Sequence, residues 1–288
     1  MSAQALLLAY SQFQYNGGWN PSMLSVASKL WIDDSSSLTV VSGAASVWAD
    51  LSGSGWDMSQ SSSVSRPIPI SPGLAGRRVL RFDGSNDFMT TSATAALSVF
   101  TNTNYGYFFS VIKRNSLDGS ATNRIALSVV RGGATSGVRA AQYFNLAGVT
   151  ADTMAMGGRR TDTDSFASST DGVSPLNTWV MRLDIMRWAD RQIDMYLNGS
   201  LAASSTGLWT AGGATSNTAS GAQIAVGASM SGSGFVAESF TNCDVAAALI
   251  GANLPTSTDI DKLFGWAAWR YGLQSSLPVG HPYKNSPP

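Results

Sequence analysis

The sequence predicts an all-β fold: a sandwich of two antiparallel sheets, closed by one C-terminal α-helix and an extended proline-rich tail. Three observations carry this. Short apolar runs separated by polar and glycine-centred turns fill the chain from about Leu30 to Ile250. Only the stretch 256–271 spaces its apolar residues as a helix does. Charged residues make up 12% of the 288, about half of the usual ~25%. The polar surface must then be built from Ser, Thr, Asn, Gln and Gly. Such a surface suits β-turns and contact with neutral partners, sugars and other subunits among them.

The strands can be read in order. Val79–Phe82 runs into the turn signal Asp83-Gly84. Tyr105–Ile112 is aromatic and β-branched, as a buried strand should be. Ile125–Val130 ends at Gly132-Gly133. Trp179–Met186 and Gln192–Leu197 alternate apolar and polar side chains, and the second ends at Asn198-Gly199, a strong hairpin signal. Gln223–Gly227 and Val245–Ile250 complete the set. The Ser/Gly/Thr-rich stretch 203–221 reads as a long surface loop. The helix spans 256–271. Thr256 and Asp259 form a capping box with Asp in the Glu position, and Ile260, Leu263, Phe264, Ala267 and Tyr271 share one face. Gly272 suits a left-handed cap. Pro278, Pro282, Pro287 and Pro288 keep the tail 273–288 extended. Trp266 and Trp269 lie beside the apolar face and read as clamps on that tail.

Residues 1–27 read as an N-terminal arm, separate from a domain spanning 28–288. Leu6, Leu7, Leu8, Tyr10, Phe13, Tyr15 and Trp19 make the arm apolar and aromatic. It must therefore be covered, either by the domain's own core or by a neighbouring subunit. The formal net charge is zero and the arginines are scattered, which argues against a nucleic-acid partner. One cysteine, Cys243, allows no intrachain disulfide. The run Ala5–Ala9 is too short for a signal-peptide core, and nothing approaches a membrane span. The expectation is a protein made in a reducing cytoplasm, without a standard export signal and without a membrane partner.

Four motifs and the chain's end carry a family resemblance. They are Leu30-Trp31-Ile32-Asp33; Val47-Trp48-Ala49-Asp50-Leu51-Ser52-Gly53; Phe82-Asp83-Gly84-Ser85-Asn86-Asp87; and Asp194-Met195-Tyr196-Leu197-Asn198-Gly199. The end runs from Phe264 through Gly272 to His281-Pro282-Tyr283-Lys284. The chain from about residue 28 onward resembles the concanavalin A-like lectin/glucanase superfamily, in the laminin-G-like form common in bacteriophage and bacterial proteins. The terminal motif is similar to one in tailed-phage structural proteins. The resemblance implies a jelly-roll sandwich of roughly a dozen strands. It implies no single function, because members bind glycans, hydrolyse them or only build particles.

Catalysis is not expected. The chain has one glutamate, Glu238, and lacks the Glu-x-Asp-x-Glu cluster of the family's glycosidases. A retaining hydrolase needs two carboxyls about 5 Å apart. Asp184 with Asp194, and Asp162 with Asp164 in a strand, are the pairs that could meet. All four read better as solvated turn or edge residues. The only histidine, His281, sits in the tail and reads as structural. Asp50, Asp83, Asn86 and Asp87 lie in the motif turns and read as turn braces, with a calcium site as the alternative; no other cofactor is expected.

Two functions compete. The first is a non-enzymatic structural virion protein, a head decoration or other outer-surface component. It would be synthesised in the host bacterial cytoplasm, assembled with capsid or tail subunits, and be homo-oligomeric. The second is a glycan-binding adhesion or receptor-recognition module of tail-fibre type, meeting host surface glycan through Trp209 and Asn217 in the 203–221 loop. A glycan depolymerase is a distant third.

Overall fold

The computed structural model describes residues 18–92, 101–117, 122–131, 138–149, 152–173, 175–216, 221–231 and 235–288. In chain order its strands are β1 (Ser28–Ile32), β2 (Leu38–Val41), β3 (Ala44–Trp48), β4 (Met58–Ser59), β5 (Ile68–Ile70), β6 (Val79–Asp83), β7 (Met89–Thr90), β8 (Tyr105–Arg114), β9 (Arg124–Arg131) and β10 (Val138–Asn145). Then come β11 (Thr153–Gly158), β12 (Ala167–Val173), β13 (Trp179–Arg187), β14 (Gln192–Leu197), β15 (Ser200–Ser205), β16 (Ala222–Val226), β17 (Ser229–Ser231), β18 (Val236–Glu238) and β19 (Asn242–Ala252). Helix α1 (Ser257–Tyr271) follows. The strands outnumber the dozen implied by the resemblance because several, such as β4 and β7, are only two residues long.

Two antiparallel sheets form the sandwich. The helix-side sheet runs β15-β14-β13-β8-β19-β6-β5, with β1 also paired to β19. The far sheet runs β12-β11-β10-β9-β16-β7-β4-β3-β2. The hairpin β17–β18 makes a separate two-stranded piece, and Met230 on it packs with Val130 and Ala225 of the far sheet.

There are two buried layers. Between the sheets lie Phe82, Phe108, Leu127, Trp188, Ile224 and Ile250. Between the helix-side sheet and α1 lie Tyr107, Phe109, Leu183 and Leu249, against Leu263, Phe264 and Trp266. A sheet covered on both faces reads as nearly continuous apolar sequence, and β8 and β19 do so. Strand β13 is different. Its Met181, Leu183 and Ile185 face the helix, while Val180 and Met186 face the far sheet with Arg182 and Asp184 between them in the chain. The polar residues of this alternating strand thus lie in the interior: Arg182 is 1% exposed and Asp184 0%.

Those two side chains tie the sheets together. Arg182 donates to the backbone carbonyls of Tyr143 (2.8 Å) and Ala155 (2.6 Å) in the far sheet, and to Asp184 Oδ2 (2.7 Å). Gln142 Nε2 also donates to Asp184 Oδ2 (2.8 Å), and Ser110 Oγ donates to Gln142 Oε1 (3.0 Å). Strand β10 shifts register against β9 on both sides of Tyr143, so its backbone there needs a partner other than a regular ladder.

The helix forms as its sequence specifies. Thr256 caps it, with reciprocal bonds to Asp259, and Gly272 adopts φ 68°. The tail lies back over it. Trp269 Nε1 donates to the Tyr283 carbonyl at 2.8 Å. Gly265 makes room, since a Cβ there would sit 2.6 Å from the Tyr283 Cβ. Trp269 is therefore a tail clamp. Trp266 is not: it is 2% exposed and meets Trp31 edge-on, with ring centroids 6.3 Å apart.

Trp19 lies on the domain, not on a projecting arm. Trp19 and Leu24 are buried with the helix layer. Ser25 N–H donates to Asp259 Oδ1 at 3.2 Å, and Trp19 N–H donates to the Pro288 carbonyl at 3.3 Å. The division expected after residue 27 cuts through a packed segment. Leu6, Leu7, Leu8, Tyr10, Phe13 and Tyr15 lie outside the described residues.

Candidate recognition cleft

One cleft forms where the 18–27 segment, β1 and the last turn of α1 meet. Its volume is about 330 Å³, and it is lined by Asn20, Met23, Trp31, Ser35, Trp266 and Arg270, with the Gly18 backbone. That size lies in the range that holds a small ligand.

Each wall is fixed by local chemistry. Asn20 caps a single 3₁₀ turn at Pro21–Met23, accepting from Ser22 N (2.9 Å) and Ser22 Oγ (2.6 Å). The turn leaves Met23 57% exposed. After β1 the buried Asp33 folds the chain back. Its Oδ1 accepts from Ser35 N (2.7 Å) and Oγ (2.6 Å), and its Oδ2 from Trp31 Nε1 (3.1 Å). The indole of Trp31, on the alternating strand β1, is thus held by its own strand's end. Arg270 projects from α1 and donates from Nε to Asp34 Oδ1 at 2.7 Å. Its guanidinium carbon lies 5.8 Å from the Trp266 ring centroid and 5.9 Å from that of Tyr271. Burial works against the Arg270 charge, but Asp33, Tyr271 and Asp34 outweigh it and raise its pKa above the usual arginine value.

The cleft brings the half-buried Trp31 indole, the exposed Met23 thioether and a few polar groups together on a rigid frame, with Trp266 buried behind them. Both nearby carboxylates are committed: Asp33 to Ser35 and Trp31, Asp34 to Arg270, Tyr271 Oη (3.1 Å) and Arg77 (2.9 Å).

The residues singled out from sequence lie elsewhere. Trp209 is only 8% exposed, packs on the layer between the sheets, and donates from Nε1 to the Gly158 carbonyl at 3.3 Å. Its indole is a core side chain and offers no open face to a sugar. Asn217 lies outside the described residues. Asp184 and Asp194 sit on opposite faces of one sheet, because Asp184 partners Met195 while Asp194 partners Ile185. Neither is a solvated edge residue, at 0% and 5% exposure. Asp162 and Asp164 are not in a strand. They anchor a loop, Asp162 on Arg131 and Arg139, Asp164 on Arg160. His281 is packed in the tail, and its Nδ1 accepts from Tyr283 N at 3.2 Å.

The motif-turn carboxylates act as braces. Asp50 Oδ1 accepts from Trp31 N (3.0 Å) and Ser52 N (2.8 Å), and its Oδ2 from Ser52 Oγ (2.7 Å) and Trp56 N (3.1 Å). Asp83 Oδ1 accepts from the backbone N–H groups of Ser85 (2.8 Å), Asn86 (3.1 Å) and Asp87 (3.2 Å). Asp87 Oδ2 accepts in return from Asp83 N at 3.1 Å. Burial, then the charge of Asp83, push the Asp87 carboxyl up to about 6. Among the described residues no three His, Cys, Asp or Glu side chains gather as a metal site.

Sequence reasoning missed the cleft. Trp31 was legible only as part of a family motif, and Trp266 only as a neighbour of the helix's apolar face. Nothing in local spacing brings Asn20, Ser35 and Arg270 together.

No family model and no curated protein matches the chain in sequence. Solved structures do match in shape. The binding domain of botulinum neurotoxin serotype G aligns with a TM-score of 0.55 at 13% identity, covering 82% of this chain and 50% of that one. The serotype D binding domain gives 0.53 at 11% identity, covering 85% and 52%. A Trypanosoma rangeli sialidase, solved in complex with sialic acid, gives 0.53 at 11% identity, covering 82% and 32%. The chain thus spans about half of each neurotoxin domain and about a third of the sialidase. At this identity the likeness shows the fold alone, a β-sandwich of two antiparallel sheets.

Proposed function

We propose that the protein is a non-enzymatic recognition module that binds a glycan in the cleft of Trp31, Met23 and Arg270, with the buried Trp266 behind them. The observation that carries this is the cleft itself. It is a concavity in which the half-buried Trp31 indole stands beside rigidly held polar groups, and its carboxylates are locked in structural bonds. Sugars present apolar C–H faces to aromatic rings and hydroxyls to neighbouring polar groups, which this lining supplies. The lectin-like sandwich supports the reading by analogy only. The similarity to neurotoxin binding domains and to a sialidase solved with sialic acid points the same way.

Calorimetric titration with bacterial-surface and sialylated oligosaccharides tests it. The expected outcome is saturable binding that weakens at least about tenfold in Trp31→Ala, with the Met23→Ala variant affected less. No heat from any glycan at millimolar concentration overturns the reading.

A second reading places the module on the outer surface of a tailed-phage particle, with capsid or tail subunits as partners. The observation that favours it is the terminal motif, Phe264–Gly272 with His281–Lys284, in which helix and tail form one locked unit. Mass spectrometry of purified particles should find the chain; its absence there sinks this reading.

A further inference from the structure

Polar atoms must stay paired when they are covered, so a ligand that fills the cleft has to complement whatever its walls leave free. The acceptors there are nearly all taken. Asp33 Oδ1 accepts from Ser35 N and Oγ, its Oδ2 accepts from Trp31 Nε1, and the residue is buried. Asp34 Oδ1 accepts from Arg270 Nε and Tyr271 Oη, and its Oδ2 from Arg77 Nη1. Asn20 Oδ1 accepts from Ser22 N and Oγ. Ser35 Oγ, its hydrogen given to Asp33, is the one side-chain oxygen of the lining left to accept.

The donors are not spent. The backbone N–H of Ser22 can only donate, so it fixes the oxygen end of the Asn20 amide. Nδ2 is then the other end, and no described residue accepts from it. Arg270 uses Nε on Asp34, but its Nη2 lies 3.6 Å from Asp33 Oδ1, too far for a hydrogen bond. Its Nη1 has no acceptor among the described residues. Charge favours the same kind of ligand. Asp34 is shared between Arg77 and Arg270, at 2.9 and 2.7 Å. Arg78 Nη2 donates to the Asp34 and Ser36 carbonyls, at 3.1 and 2.5 Å. Three guanidiniums thus surround the two carboxylates of the 33–36 turn. Arg77 Nε also takes the Arg270 carbonyl at 2.7 Å, which offsets the negative end of α1.

We infer that the ligand of this cleft is an acidic sugar, a uronic or nonulosonic acid, its carboxylate received by Arg270 Nη1 and Nη2 and by Asn20 Nδ2. This rests on the glycan reading above and narrows it. An ionised carboxylate only accepts, so it matches walls that have donors to give and almost no acceptors. A guanidinium presents its N–H groups in a planar fork that fits the two carboxylate oxygens. A neutral sugar carries hydroxyls that donate as well as accept, and these walls meet them with Ser35 Oγ alone. The half-buried Trp31 indole and the exposed Met23 are left for the apolar C–H face of the ring.

Calorimetry on the full chain tests this with sialyllactose and a hyaluronan oligosaccharide, each beside its carboxyl-reduced form, in which the carboxylate has become a primary alcohol. The acid of at least one pair should bind at least about tenfold more tightly than its reduced form. Its affinity should also fall as salt is added. The Asn20→Asp variant keeps the oxygen that caps the Pro21–Met23 turn and replaces the free donor with a negative oxygen. It should lower the preference for the acid at least about tenfold while melting as the wild type does. Reduced forms that bind as well as the acids overturn this inference and leave the glycan reading standing. Silence from every acid and every reduced form overturns both. A folded Asn20→Asp variant that keeps the full preference for the acid also overturns the inference.

Discussion

The two buried layers of this molecule are equally dry and chemically unlike. Under the helix, Phe109, Leu183 and Leu249 meet Leu263, Phe264 and Trp266 through apolar surface. Between the sheets, the core is interrupted by Arg182, Asp184, Gln142 and Ser110, each at most 1% exposed. The helix layer is held mostly by contacts without direction, with the Tyr271 Oη bond to the Ala246 carbonyl (3.1 Å) at its margin, so volume matters most. The layer between the sheets also holds a directional lock, in which one guanidinium joins a strand of one sheet to two carbonyls of the other. A lock of this kind fixes register but suffers badly when one member is lost.

Three changes would break or sharpen that contrast. The largest effect is expected from Arg182→Ala, which strands Asp184 and two buried carbonyls. It should cost about 3–5 kcal/mol, read by urea denaturation. Arg182→Lys should recover little of this, because one ammonium cannot reproduce the planar fork. Under the helix, the volume-conserving change Leu263→Met should cost less than about 1.5 kcal/mol. If the arginine and leucine variants lose equal stability, the two layers do not differ as described.

The smallest effect is a dependence on pH. Burial, opposed by Arg182 and Gln142, pushes the Asp184 carboxyl up to about 6 from its ordinary 3.8. Asp87 is raised to about 6 as well. A raised carboxyl stabilises the fold below its unfolded value, and that stability is lost as pH rises through the folded one. These two groups therefore favour the fold at pH 4 over pH 7. His281 works in the opposite sense, because burial holds its ring below the usual histidine value. The variants Asp184→Asn and Asp87→Asn should each flatten the rise in melting temperature between pH 7 and about pH 4. A wild-type profile with no such rise would contradict the assignment.

The contrast also explains what was legible in the sequence. Helix α1 could be read to the residue at its caps, because Thr256, Asp259 and Gly272 act within a few residues of one another. Strands with a strong aromatic or β-branched run, such as β8 and β14, were equally plain. Strands β11, β12 and β15, rich in Gly, Ala and Ser, were not, since their packing is set by distant partners. Alternation in β13 was visible, but not its direction. A period of two shows that the faces differ without saying which is wet. The helix claims the apolar face, so Arg182 and Asp184 turn inward. Trp209 misled for a related reason: a tryptophan in a small-residue loop looks exposed until the loop folds it into the core. The cleft was invisible because Trp31 and Trp266 meet only in three dimensions.

The hydrogen bond from Trp19 to Pro288 carries a mechanical consequence. Trp19 and Pro288 lie side by side, so the stretch of chain between them is nearly a closed loop. Tension applied between those two points would first load this hydrogen bond, the packing of Trp19 and Leu24 and the strapped tail. Anything tethered there would hang from the sandwich, and joining the two points through a short linker should yield circular permutants that still fold.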